Sequence, residues 1–158
     1  MCIRDRSTIA WFDDGLNAVA YCGPGEINST GASGELTAAG SSMVSSNDLA
    51  MTASDLPPMS FGFLITSLTQ GFVANPGGSQ GNLCVTGLIG RFVGPGQIRQ
   101  ASAAGDWTLV TDLTQQPQPT GLVSIAVGDT WNYQAWYRDS VGGQASSNFT
   151  NGVTINFR

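Results

Sequence analysis

The chain reads as an all-β protein, a single antiparallel β-sandwich of about eight strands, and three observations predict it. From Thr130 to Arg138, within GDTWNYQAWYRD, side chains alternate with period two: Trp131, Tyr133, Ala135 and Tyr137 fall on one face, and Asn132, Gln134, Trp136 and Arg138 on the other. That is a strand with one buried face, because only an extended chain sends adjacent residues to opposite sides. In the closing GVTINF, Val153, Ile155 and Phe157 alternate with Thr154, Asn156 and Arg158, and a Gly/Ser/Asn-rich turn between the two runs makes them a hairpin. Finally, no segment keeps a helical apolar period for more than two turns.

In chain order, residues 1–6 (MCIRDR) resemble a translated sequencing-adapter leader and are set apart from the fold. Residues 7–20 read as a linker or the end of an upstream domain, with WFDDG at Trp11 to Gly15 as a turn. This turn lacks the D-x-[DN]-x-[DN]-G spacing of a calcium loop. The sandwich is expected over residues 21–158, beginning with the turn-rich CGPGEINSTGASG. Strands are expected at Glu35–Ala39, Asp48–Ala53, Phe61–Thr69, Val85–Phe92, Trp107–Asp112, Val123–Val127, Thr130–Arg138 and Val153–Phe157. Pro57-Pro58, Asn75-Pro76-Gly77-Gly78, Gly94-Pro95-Gly96 and the Pro-containing Gln116 to Gly121 punctuate them.

Composition narrows the function. Only 11% of residues are charged, all six basic residues are Arg, and His and Lys are absent. A net charge of −5 argues against nucleic acid and against anionic lipid, both of which need a basic footprint. Without His or Lys there is no Ser-His-Asp or Cys-His catalysis and no Schiff-base lysine. The Asp residues near strand ends read as Asx-turn caps rather than a hydrolytic pair. No metal, cofactor or membrane insertion is expected, and no run approaches the length of a membrane span. Residues 1–20 lack a continuous apolar segment, so a secretory signal is expected upstream of them.

Of three cysteines, Cys2 lies in the leader, and no CxxC spacing occurs. Cys22 and Cys84 read as a disulfide formed in an oxidising compartment, with two buried thiols as the alternative.

YCGPGEINSTGASG, GFVANPGGSQGNLCVTGLIGRF, DLTQQPQPTG, GDTWNYQAWYRD and SSNFTNGVTINF, in that order, resemble a domain found at the C-terminal ends of large secreted proteins of environmental bacteria. The resemblance runs from Tyr21 to the end. It implies a secreted β-sandwich accessory module, with Cys22 and Cys84 as the paired cysteines, and supplies no catalytic residues. More loosely, the final hairpin is similar to that of fibronectin type III and other Ig-like folds, and equally to a jelly roll.

Trp107, Trp131, Trp136 and Tyr137 are candidates for a sugar-stacking platform. Trp136 is the sharpest, since Asn132, Gln134 and Arg138 share its strand face, and these four form the candidate ligand site. The alternative is that Trp136 packs on the Arg138 stem or that its face is covered. Arg138 and Asp139 are a candidate local ion pair, and Asn28 and Asn148 fit glycosylation acceptor patterns. The expected function is a non-catalytic, secreted or cell-surface module for adhesion, attachment or structural support. Its partners would be upstream domains of the same polypeptide and glycans or other cell-surface polymers. The alternative is a carbohydrate-binding module using the Thr130–Arg138 strand.

Overall fold

The computed structural model describes residues 15–158, so the leader and most of the WFDDG turn lie outside the described residues. The described residues are built from β1 (Ala18–Tyr21), β2 (Glu35–Ala39), β3 (Ala50–Ser54), β4 (Phe61–Ser67), β5 (Thr69–Ala74), β6 (Asn82–Thr86), β7 (Gly90–Arg91), β8 (Arg99–Gln100), β9 (Trp107–Val110), β10 (Gln116–Gln118), β11 (Gly121–Val123), β12 (Thr130–Val141) and β13 (Gln144–Asn156). Every pairing between them is antiparallel. The main sheet runs β1-β13-β12-β4-β7, with β8 pairing farther along β4. A second sheet runs β2-β3-β9, and β5-β6 and β10-β11 form separate two-stranded ribbons.

The main and second sheets pack face to face. Ranks across the second sheet present Leu36, Ala53 and Trp107, then Ala38, Met51 and Leu109. Across the main sheet they meet Ile155 and Trp131, Val153 and Tyr133, and Leu64 and Ala135. These residues share one apolar core with Phe92, Leu113, Ile125 and Phe157. The alternation expected for Thr130–Arg138 therefore holds on its inner side, where Trp131 is 2% exposed and Tyr133, Ala135 and Tyr137 are fully buried.

The outer face of the main sheet carries a third layer, the β5-β6 ribbon. A second apolar cluster of Ile65, Val85 and Phe149, with Phe63, Leu83, Ile89 and Trp136 against it, fills the contact. The ribbon is tied at one side by the Cys22–Cys84 disulfide, whose Cα atoms are 6.4 Å apart. Tyr21, beside Cys22, donates its hydroxyl to the Cys84 carbonyl at 2.8 Å.

Several elements differ from their sequence expectation. The sheet begins before Tyr21: Ala18 to Tyr21, placed in or beside a linker, pair with Ile155 to Gly152. The pairing is close because Gly152 has no side chain, so the Tyr21 ring lies where a Cβ would be 2.4 Å from it. The polar stretch before Val153 is not a loop but the first half of β13. Gly142 and Gly143, at φ of +57° and +81°, make the tight turn between Val141 and Gln144. Two successive positive-φ residues are what a twisted two-residue hairpin turn demands. Val123–Val127 is strand only to Val123, and the long Phe61–Thr69 and Val85–Phe92 runs each break in two.

Candidate functional site

Trp136 lies on the outer face of β12, opposite Phe63 of β4 and Phe149 of β13. Its ring centroid is 5.0 Å from that of Phe63 with 30° between the planes, and the Arg138 guanidinium carbon stands 5.7 Å over it. Trp136 is half-buried, and it is the wall shared by two hollows. One, of about 320 Å³, lies among Phe63, Ile65, Leu83, Phe149 and Arg91. The other, of about 240 Å³, lies among Gly77, Gly78, Ser146, Ser147 and Arg138.

The loop from Asn75 to Gly81 shapes both hollows. It is fastened to β13. Ser79 donates its hydroxyl to the Ser147 carbonyl at 3.0 Å, and the Gln80 N–H donates to the same carbonyl at 2.8 Å. Gln80 Nε2 reaches Ser146 Oγ at 3.3 Å.

Of the expected ligand residues, Trp136 and Arg138 are at the cleft, and Asn132 and Gln134 are not available to a ligand. Gln134 is fully buried. Its Oε1 accepts from the Cys84 N–H at 2.9 Å, and its Nε2 donates to the carbonyls of Asn82 at 2.8 Å and Thr150 at 2.7 Å. The side-chain amide thus stands in for a peptide group and clasps β6 to the main sheet. Asn132, 2% exposed, donates from Nδ2 to the Ser67 carbonyl at 3.1 Å and accepts at Oδ1 from Thr154 Oγ1 at 2.6 Å and Gln70 Nε2 at 3.3 Å. Both amides lie on the face expected, but the third layer covers it there. Trp107 and Trp131 belong to the core, as does Tyr137, so none is a platform residue.

Arg138 and Asp139 do not pair, because the pleat sends them to opposite faces. Asp139 is 9% exposed and accepts from the Ser29 N–H at 3.0 Å and from Asn148 Nδ2 at 3.3 Å. Asn148 is fully buried and Asn28 is 5% exposed, which removes both as glycosylation acceptors. Asp112 and Asp129 do cap turns. Asp112 Oδ1 accepts from the Thr114 N–H at 2.9 Å and its hydroxyl at 2.6 Å, and Asp129 Oδ2 from the Ala126 N–H at 2.8 Å. The Thr114 hydrogen bonds hold the Asp112 carboxyl below its usual range. Among the described residues no three His, Cys, Asp or Glu side chains gather as metal ligands.

Phe63, Ile65, Phe149 and Arg91 were not identified from sequence as members of this cleft. The alternation Phe61, Phe63, Ile65 places Phe63 and Ile65 on one face of β4, but only the sheet order brings them beside Trp136. Arg91 sits there because β7 pairs it directly opposite Ile65.

Comparison of the chain with protein-family models, with curated proteins and with solved structures finds no match. What the fold does show is an all-β, disulfide-bonded domain suited to an oxidising, extracellular environment, with no helix among the described residues long and apolar enough to cross a membrane.

Proposed function

We propose that this domain is a non-catalytic, extracellular attachment module of a larger secreted protein. The observation that carries the reading is the chemistry of the Trp136 cleft. Its linings offer aromatic and aliphatic faces, two guanidiniums and serine hydroxyls, and no carboxylate, thiol or imidazole. Such a surface can hold a ligand but has no general acid or base to carry a proton or to activate its serine hydroxyls as nucleophiles. The buried amides support the same reading, since Gln134, Asn132 and Asn148 are engaged in holding the layers together. Carbohydrate is the second reading, favoured by Trp136 itself, which is half-buried at the wall of both hollows and flanked by Ser146 and Ser147.

The test is a binding assay of the fluorescently labelled domain on intact environmental-bacterial cells and on their extracted extracellular polymers. Saturable binding that Trp136→Ala removes, with the melting temperature nearly unchanged, is the expected result. Retention equal to that of an unrelated β-sandwich domain of matched charge would remove the attachment reading.

A further inference from the structure

The two arginines of the cleft stand apart from the rest of a chain whose net charge is −5. Arg91 lines the first hollow and Arg138 the second, and no Asp or Glu lines either. Among the described residues neither side chain makes an ion pair. The Arg138 guanidinium carbon stands 5.7 Å over the Trp136 ring, a contact that uses none of its N–H donors as a hydrogen bond would. Both side chains are exposed. An acidic protein thus presents, around its outer aromatic cleft, two uncompensated cations.

Their placement is set by register. Arg91 is opposite Ile65, Trp136 is opposite Phe63, and Arg138 is two residues beyond Trp136 on β12. Counting about 3.4 Å per residue along β4 and about 4.8 Å per strand across the sheet puts the two arginine Cα atoms about 17 Å apart, with Phe63 and Trp136 between them. Each guanidinium serves a different hollow, and Trp136 is the wall common to both. A compact anion fills one hollow only, whereas an extended chain with charges at intervals reaches both.

Of the strands under this track, β4 and β12 are interior to the sheet, and β7, which carries Arg91, is an edge strand of only two residues. A peptide therefore finds too little free strand edge here to extend the sheet. What the track offers is a side-on surface of aromatic carbon, hydroxyls and cations, which matches a pyranose ring bearing a carboxylate or sulfate. Resting on the attachment reading above, we infer that the diagonal Arg91–Phe63–Trp136–Arg138 is the binding track for an extended acidic polysaccharide.

The test is affinity electrophoresis and calorimetry of the whole domain with three acidic polysaccharides: polygalacturonate, alginate and a sulfated galactan. Fully methyl-esterified polygalacturonate serves as the neutral control and poly-glutamate as the non-sugar polyanion. At least one acidic polysaccharide is expected to bind and its ester not to. Arg91→Gln and Arg138→Gln should each weaken binding about tenfold, the size of one lost charged hydrogen bond. Arg99→Gln should not weaken it, since Arg99 pairs with Gly62 and so lies on the opposite face parity. Raising sodium chloride from about 50 to 500 mM should weaken binding strongly. Trp136→Phe should retain part of the affinity and Trp136→Ala lose it. Equal binding of the ester would overturn the acidic specificity while leaving the attachment reading intact. Equal binding of poly-glutamate, unaffected by Trp136→Ala, would overturn the sugar. If the folded domain binds cells but none of the three acidic polysaccharides, the inference fails alone; if it binds neither, both readings fail.

Discussion

Three side chains of β12 show how one strand holds two layers at once. Trp131 packs inward between the sheets, Gln134 faces outward and is sealed under β6, and Trp136 faces outward where the cover ends. Their expected responses to substitution differ accordingly. Trp131→Ala empties a core site and should cost about 3–5 kcal/mol in denaturant unfolding. Trp136→Ala should cost clearly less, because part of its ring already meets solvent. Gln134→Met keeps the volume but leaves the Cys84 N–H and the carbonyls of Asn82 and Thr150 without that partner. At about 1–3 kcal/mol for each buried group left unpaired, a loss of about 3 kcal/mol or more is expected in urea unfolding. A loss under 1 kcal/mol would mean that the amide is not the clasp described. Asn151 does the same work on the inner side, accepting from the Leu36 N–H at 2.9 Å and donating to its carbonyl at 3.2 Å. Side-chain amides thus join layers where no strand pairing does.

Among elements, the β5-β6 ribbon depends most on its fastenings. It shares no ladder with the main sheet and is held by the small outer cluster, the Gln134 clasp and the disulfide. The bond closes a loop of 62 residues in sequence separation. The chain-entropy account of such a loop gives about 4 kcal/mol as an upper figure. The Cys22→Ser, Cys84→Ser double variant should therefore melt lower by about 10 °C, at roughly 2–4 °C per kcal/mol for a domain of this size. Hydrogen exchange should locate the loss: amides of β5 and β6 should open faster by a larger factor than those of β12, which lies mid-sheet. Uniform acceleration everywhere would show that the bond supports the whole fold rather than the ribbon.

Across the whole molecule, the N-terminal β1 pairs with the C-terminal β13, so the main sheet closes only when both ends of the described chain have met. The same sandwich buries phenols that would ionise in water. Burial pushes the Tyr137 hydroxyl up to about 12, the Asn28 hydrogen bond opposing that rise, and burial also pushes Tyr21 up to about 12. Tyr133, enclosed in the core with its hydroxyl donating to Gln116 Oε1 at 2.8 Å, is raised further. In the unfolded chain these phenols ionise near pH 10. Between that value and the raised folded values the native state holds more protons than the unfolded one, so stability falls as pH rises. The full contribution is present below about pH 10 and is lost progressively toward pH 12 and above. Thermal melts should be flat for these groups from pH 7 to 9 and decline steeply above pH 10. Tyrosinate absorbance at 295 nm should show a fraction that appears only with unfolding. Full ionisation of all three phenols near pH 10 in the folded protein would contradict their burial.

The inner face of β12, the all-β class and the pairing of Cys22 with Cys84 were legible in the residues, because alternation, turn chemistry and cysteine count are local properties of a chain. Trp131, Tyr133 and Tyr137 are buried for the reason their spacing announces: apolar bulk repeated every second residue on one side. The same spacing put Asn132, Gln134, Trp136 and Arg138 together on the other side, correctly, and could not say what lies against them. Period two tells which residues share a face and nothing of what covers it. The cover is the β5-β6 ribbon, brought over the sheet by the disulfide and by an apolar cluster whose members come from four strands and the loop after β6. It reaches far enough to turn two candidate ligand amides into internal struts and stops at Trp136. Whether a polar side chain faces a ligand or another backbone is decided by contacts between residues far apart in sequence, and here only the tertiary structure drew that line.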